Sequence, residues 1–138
     1  MSRKINLCLP SELGQIKRAV QEILRFLELG APSMSADDRF DLKLVFSELL
    51  ANAVIHGNKS DSRKRVYLTA EIKDGAVYST IMDEGPGFNY DSVVHGGLCD
   101  DIYDESGRGV RLACSLTDSF GYNKKGNRIY FHKKVKSK

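Results

Sequence analysis

The sequence predicts an α+β two-layer sandwich: a mixed or antiparallel β-sheet covered on one face by helices. Three observations lead there. Two long segments before Gly57 carry apolar residues at helical spacing. After Val66 come four strand-like runs, the first pair joined by Asp74-Gly75, a strong two-residue hairpin signal. A short alternating run, Ile5 to Leu9, precedes the first helix and stops at Pro10, which suits an edge strand.

In order along the chain, Ser11 followed by Glu12 reads as the start of a capped amphipathic helix. Its apolar series is Leu13, Ile16, Val20, Ile23, Leu24 and Leu27, and it ends near Gly30. Pro32 forbids simple continuation. A second helix is expected from Ser35 to Asp38 onward, with Leu42, Val45, Phe46, Leu49 and Ala53 on its buried face. It should end at His56-Gly57-Asn58, Gly57 supplying a left-handed cap. Val66 to Ile72 and Ala76 to Met82 form the hairpin. Residues 83–107 are rich in turn formers and long for a loop, as functional lids are. Gly109 to Leu116 reads as a helix, and Ser119 to Tyr122 with Arg128 to Val135 as a closing hairpin.

Composition bounds the reading. The 138 residues suffice for one core, so residues 1–138 are taken as a single domain. Apolar content of 41% and charged content of 28% suit a water-soluble globular chain. No apolar run reaches the roughly 20 residues that span a bilayer, and the N-terminus lacks a secretory pattern, so a cytoplasmic location without membrane contact is expected. Cys8, Cys99 and Cys114 are odd in number, with no CxxC, and read as reduced thiols. The net charge of +3 includes no basic stripe, which argues against direct nucleic-acid binding. Residues 88–106 hold Asp91, Asp100, Asp101, Asp104 and Glu105 and no Lys or Arg.

Three segments carry chemistry. Glu48 and Asn52 are i, i+4 neighbours at the edge of the second helix's apolar stripe. Taken alone, the pair reads first as two surface side chains. Asp83-Glu84-Gly85-Pro86-Gly87-Phe88 follows a strand. Its glycines permit close backbone approach, and an ionised Asp83 only accepts hydrogen bonds, so it suits an amino group such as that of adenine. A tight turn explains the same residues. Ser106-Gly107-Arg108-Gly109-Val110 opens a helix, where free N–H groups favour phosphate and Arg108 can add charge. No Walker A sequence occurs.

An Asn-bearing helix, then a strand and DxGxG, then a lid, then GxG and a helix is the order found in Bergerat-fold, histidine-kinase-like ATPases. Glu48 to Gly57 resembles their N box, Asp83 to Phe88 their first glycine box, and Glu105 to Val110 their second. Within that superfamily the wording is most similar to the anti-sigma regulatory factor serine/threonine-protein kinases. The resemblance implies ATP and Mg²⁺ as cofactors. It implies that Asn52 binds the metal and that Glu48 acts on the attacking hydroxyl. Asp83 would bind adenine, Gly85 and Gly87 would form the pocket wall, and Gly107, Arg108, Gly109 and Val110 would hold phosphates beneath a lid at about 88–106. It further implies a homodimer with two protein partners: an anti-sigma factor antagonist as substrate and a sigma factor. The chain departs from the family pattern in having Asn127 where a Thr often stands, and in its acidic lid, which is expected to face a basic partner. A non-catalytic nucleotide-dependent switch and an isolated histidine-kinase catalytic domain stand as alternatives.

Overall fold

The computed structural model describes residues 3–86 and 107–136. Its elements are β1 (Arg3–Pro10), α1 (Leu13–Gly30), α2 (Ala36–Ala51) continuing into a wider helical turn (Asn52–Gly57), β2 (Arg65–Lys73), β3 (Ala76–Met82), α3 (Gly107–Ser115), β4 (Ser119–Tyr122) and β5 (Arg128–Lys134). The strands form one sheet in the order β1-β2-β3-β5-β4, every neighbouring pair antiparallel. Of the two sheet types left open by the sequence, the antiparallel one is found.

Strand alternation decides which face the helices cover. One inward row runs Leu7, Leu68, Ile81, Ile129, Tyr122, and the next runs Ile5, Ala70, Ser79, Phe131, Phe120. Ala70 and Ser79 are small, and Phe46 of α2 meets the Phe131 ring edge-on at 5.3 Å between centroids. Ser79 is satisfied inside the core because its Oγ donates to the Thr69 carbonyl at 2.7 Å. The helical stripes fill the other side: Val20, Ile23 and Leu27 from α1, Leu42, Val45, Phe46 and Leu49 from α2, and Ala53 from the widened turn are all buried. Opposite them, Tyr67, Tyr78 and Tyr130 stand on the uncovered sheet face.

The first hairpin turns where its sequence says it should. Asp74 and Gly75 take φ of 52° and 73°, both positive, as a two-residue turn matched to strand twist requires. Ser35 caps α2, its Oγ accepting from the Asp38 N–H at 3.1 Å.

Other expectations are corrected. Ser11 does not cap α1, whose N-cap is Glu12 with no side-chain bond. Ser11 is buried instead, donating to the Lys64 carbonyl at 2.9 Å. Gly57 is not left-handed, since among the described glycines only Gly75 and Gly126 have positive φ. Cys8 is free and exposed, but Cys114 is disulfide-bonded rather than reduced.

One inward position is charged. Lys133 falls in the row of Ile72 and Val77, where the sheet extends past the apolar layer. Its Nζ donates to the Leu116 carbonyl, just beyond the end of α3, at 2.9 Å, and lies 3.7 Å from Asp38 and 3.8 Å from Asp41 at the start of α2. Three acceptors from two helical segments thus satisfy one buried ammonium.

Candidate functional site

The site begins where α2 changes pitch. Up to Ala51 the helix is regular, placing Glu48 and Asn52 one turn apart and half-buried. From Asn52 the helix widens, and the Asn58 N–H reaches back five residues to the Ala53 carbonyl at 2.8 Å. Such widened turns recur at functional sites because they re-aim side chains without ending the helix. His56 lies on the exposed side of this turn.

Gly57 closes the turn directly against Asp83. A methyl group built on Gly57 would overlap the Asp83 carboxylate, and one built on Gly85 would overlap the Gly57 carbonyl. The end of the helix and the loop after β3 therefore meet backbone to side chain, at a separation only glycine permits. This close approach explains the glycine that the sequence suggested as a helix cap.

Asp83 is buried and held on three sides. Its N–H donates to the Asn127 carbonyl at 2.9 Å, its own carbonyl accepts from Asn127 Nδ2 at 3.1 Å, and its Oδ1 accepts from the Gly85 N–H at 2.8 Å. Burial pushes its carboxyl up from the ordinary value. The Gly85 hydrogen bond and the charges of Lys125 and Lys64 pull it down and offset this in part. Asn127, standing where a Thr was expected, thus spends its side-chain amide on the Asp83 backbone.

Glu48 lies at the other end of the same helix face. A methyl group on Gly109 would overlap Glu48 Oε2, so the first turn of α3 sits against this carboxylate. Val110 turns its side chain into the core, 2% exposed, which leaves its backbone for any ligand contact. Gly107 and Arg108 open α3. Gly87, Phe88 and the lid residues 88–106 lie outside the described residues.

The structure therefore brings the three sequence segments together. Glu48 faces Gly109, while the turn that begins at Asn52 ends on Asp83 and Gly85.

Sequence reading missed Asn58. It is fully buried, and its Oδ1 accepts from the Glu84 N–H at 2.7 Å. A lone Asn after a helix-ending Gly reads as a turn former. Only the fold shows that it reaches across to the Asp83 loop.

The histidine kinase-like ATPase domain family matches residues 9–133 of the chain. The chain belongs to this family. Among curated proteins it is similar to the anti-sigma F factor of Shouchella clausii (strain KSM-K16), 33% identical over 64% of this chain and 60% of that protein. It also resembles the anti-sigma F factors of Geobacillus sp. (strain WCH70) and Bacillus subtilis (strain 168), at 45% and 41% identity over 37% of this chain and 35% of each relative. The match thus spans 60% or less of these relatives' length. A crystal structure of the RsbU and RsbW domains of a Mycobacterium tuberculosis protein superposes with a TM-score of 0.67 at 17% identity. It covers 96% of this chain and 32% of that one, a likeness of fold. The α+β sandwich read from the sequence is the fold of this family. Among the described residues, no helix is long and apolar enough to cross a membrane.

Proposed function

We propose that the chain is a cytoplasmic, ATP-dependent serine/threonine protein kinase that phosphorylates an anti-sigma factor antagonist and itself restrains a sigma factor, working as a homodimer. The observation that carries this reading is the convergence of three segments: Gly57 and Gly85 on the Asp83 carboxylate, and Gly109 on the Glu48 carboxylate. The names of the similar curated proteins support the choice of partners.

The residues present fit Mg·ATP. Glycine at 57, 85 and 109 lets the three segments pack closely enough to gather the Asp83 and Glu48 carboxylates into one region. Asp83, fixed by Asn127 and Gly85, offers a carboxylate to an exocyclic amine. The N–H groups of the first turn of α3, which a helix cannot bond internally, would serve phosphate, and Arg108 in that turn would add charge. Asn52 gives one hard oxygen, enough for a cation that keeps most of its waters. The bound metal would supply charge neutralisation at the phosphates. Glu48, beside the first turn of α3, orients the incoming hydroxyl and accepts its proton. Phosphoryl transfer asks the protein for position and electrostatics, and these groups provide both.

The test is to incubate the purified protein with labelled Mg·ATP and candidate antagonist proteins, alongside Glu48→Gln. Label on a serine or threonine, lost in Glu48→Gln while ATP binding persists, is the expected result. ATP binding without transfer to any partner would favour the non-catalytic switch, and absence of ATP binding would overturn both readings.

A further inference from the structure

Asn58 is fully buried beside the site with both ends of its amide bonded, and nothing in the phosphoryl-transfer chemistry uses it. Its Nδ2 donates to Ser11 Oγ at 2.7 Å and to the Arg65 carbonyl at 2.9 Å, while its Oδ1 accepts from the Glu84 N–H at 2.7 Å. The partners fix which way the amide faces. The Ser11 hydroxyl gives its proton to the Lys64 carbonyl and so can only accept from Asn58, the Arg65 carbonyl can only accept, and the Glu84 N–H can only donate. Neither a carboxylate nor a flipped amide fits that set.

Four pieces of chain meet at this one amide: the connection from β1 to α1 at Ser11, the end of the widened α2 turn, the start of β2 at Arg65, and the loop after β3 at Glu84. Glu84 ties back a second time, its carboxylate accepting from the Arg65 N–H. The neighbours in sequence are the residues that touch in the site. Gly57 precedes Asn58, and Asp83 and Gly85 flank Glu84, with Gly57 pressed on the Asp83 carboxylate and on Gly85. The contact between helix end and loop is steric and carries no hydrogen bond of its own direction. The Asn58–Glu84 bond, one residue further on along each strand of the contact, gives it one.

We propose that Asn58 is a positioning residue for recognition of the nucleotide base: it fixes the Asp83–Gly85 loop against the Asn52-bearing turn, so that the Asp83 carboxylate is presented in one orientation. The inference rests on the proposed nucleotide site and adds to it a residue that holds the base-selecting carboxylate in place. A carboxylate selects adenine over guanine by accepting from the exocyclic amine, where guanine presents a carbonyl. That discrimination is lost when the carboxylate can rotate or shift. Removing Asn58 therefore weakens the preference for ATP, whereas removing Ser11 loosens only the outer side of the network and leaves the bond to Glu84 in place.

The experiment compares ATP and GTP affinity by calorimetry for the wild-type chain, Asn58→Ala and Ser11→Ala, with melting temperature measured on each. The expected result is a fall of about tenfold in the ATP-to-GTP preference for Asn58→Ala, equivalent to one lost directed hydrogen bond. Ser11→Ala is expected to melt lower with its preference unchanged. An Asn58→Ala protein that is destabilised like Ser11→Ala yet keeps the wild-type preference overturns the inference, because Asn58 would then be a structural residue alone. Amide exchange in the nucleotide-free wild-type chain is a second measurement that needs no variant. The Glu84 N–H is expected to be strongly protected, and exchange as fast as in an open loop also overturns the inference. A wild-type chain that binds neither nucleotide defeats the nucleotide site itself, which distinguishes that failure from this one.

Discussion

Replacing Gly57 by alanine separates the two accounts of that glycine. If Gly57 only ended a helix, alanine would be favourable there. Its φ is not positive, and alanine exceeds glycine in helix propensity by about 1 kcal/mol. The structure says otherwise, since the new methyl would fall on the Asp83 carboxylate. That carboxylate has little room to yield, being 8% exposed and held by the Gly85 N–H at 2.8 Å. Overpacking of this kind costs about 1–3 kcal/mol, and loss of the Gly85 bond adds about 1 kcal/mol. Against the propensity gain, the net destabilisation should be about 1–3 kcal/mol, or roughly 3–10 °C in melting temperature for a domain of this size. Gly14→Ala is the matched control. It lies in α1 with nothing within 4 Å of the added carbon, and should stabilise by about 0.5–1 kcal/mol. Thermal melting of both variants, followed by ATP titration, is the assay. A Gly57→Ala protein that melts above wild type with undiminished ATP affinity would refute the close-approach argument and the site built on it.

Two further outcomes follow from the same geometry. Burial raises the Asp83 pKa in the folded chain above 3.8, so its charged form is the penalised one, and wild-type stability should fall as pH rises from about 3.8 through the raised value. Asp83→Asn should remove that slope, leaving the nucleotide-free protein at least as stable as wild type at neutral pH while ATP affinity drops about tenfold or more. Urea titrations across pH read the first effect, and a variant less stable than wild type at neutral pH contradicts it. Lys133→Met keeps the stem but strips the ammonium from Leu116, Asp38 and Asp41, and should cost about 1–3 kcal/mol in urea unfolding. A loss below about 0.5 kcal/mol would mean that the cluster behaves as an ordinary surface pair.

The parts of the fold legible in the sequence were those set by local pattern. Leu42, Val45, Phe46 and Leu49 repeat at helical spacing, and Asp74-Gly75 can take two positive φ values in succession, so α2 and the β2–β3 hairpin could be located without tertiary knowledge. For the candidate site, the order of the three segments was legible, and the fold brings Glu48 to Gly109 and the Asn52–Gly57 turn to Asp83 and Gly85. What stayed hidden depends on partners distant in the chain. Ser11 looks like a helix cap until Lys64 and Asn58 are seen beside it, 53 and 47 residues away. Gly57 looks like a helix stop until Asp83 is found against it. Lys133 looks like one more cation in a basic tail until strand pairing turns it inward toward Asp38. The widening at Asn52–Gly57 has no signature in NAVIHG; in the fold that turn ends against the loop after β3.

The strand order carries a consequence for synthesis. β5, made last, lies between β3 and β4, and the Lys136 carbonyl just past it accepts from the Ser35 N–H at 2.8 Å. While the ribosome is still translating this region, β3 has one bare edge and β4 lacks any neighbour among the described strands. A bare edge of that kind recruits other chains. A chain interrupted inside β5 should therefore aggregate, and a tag that shields the nascent hairpin until residue 136 has emerged should raise the soluble yield.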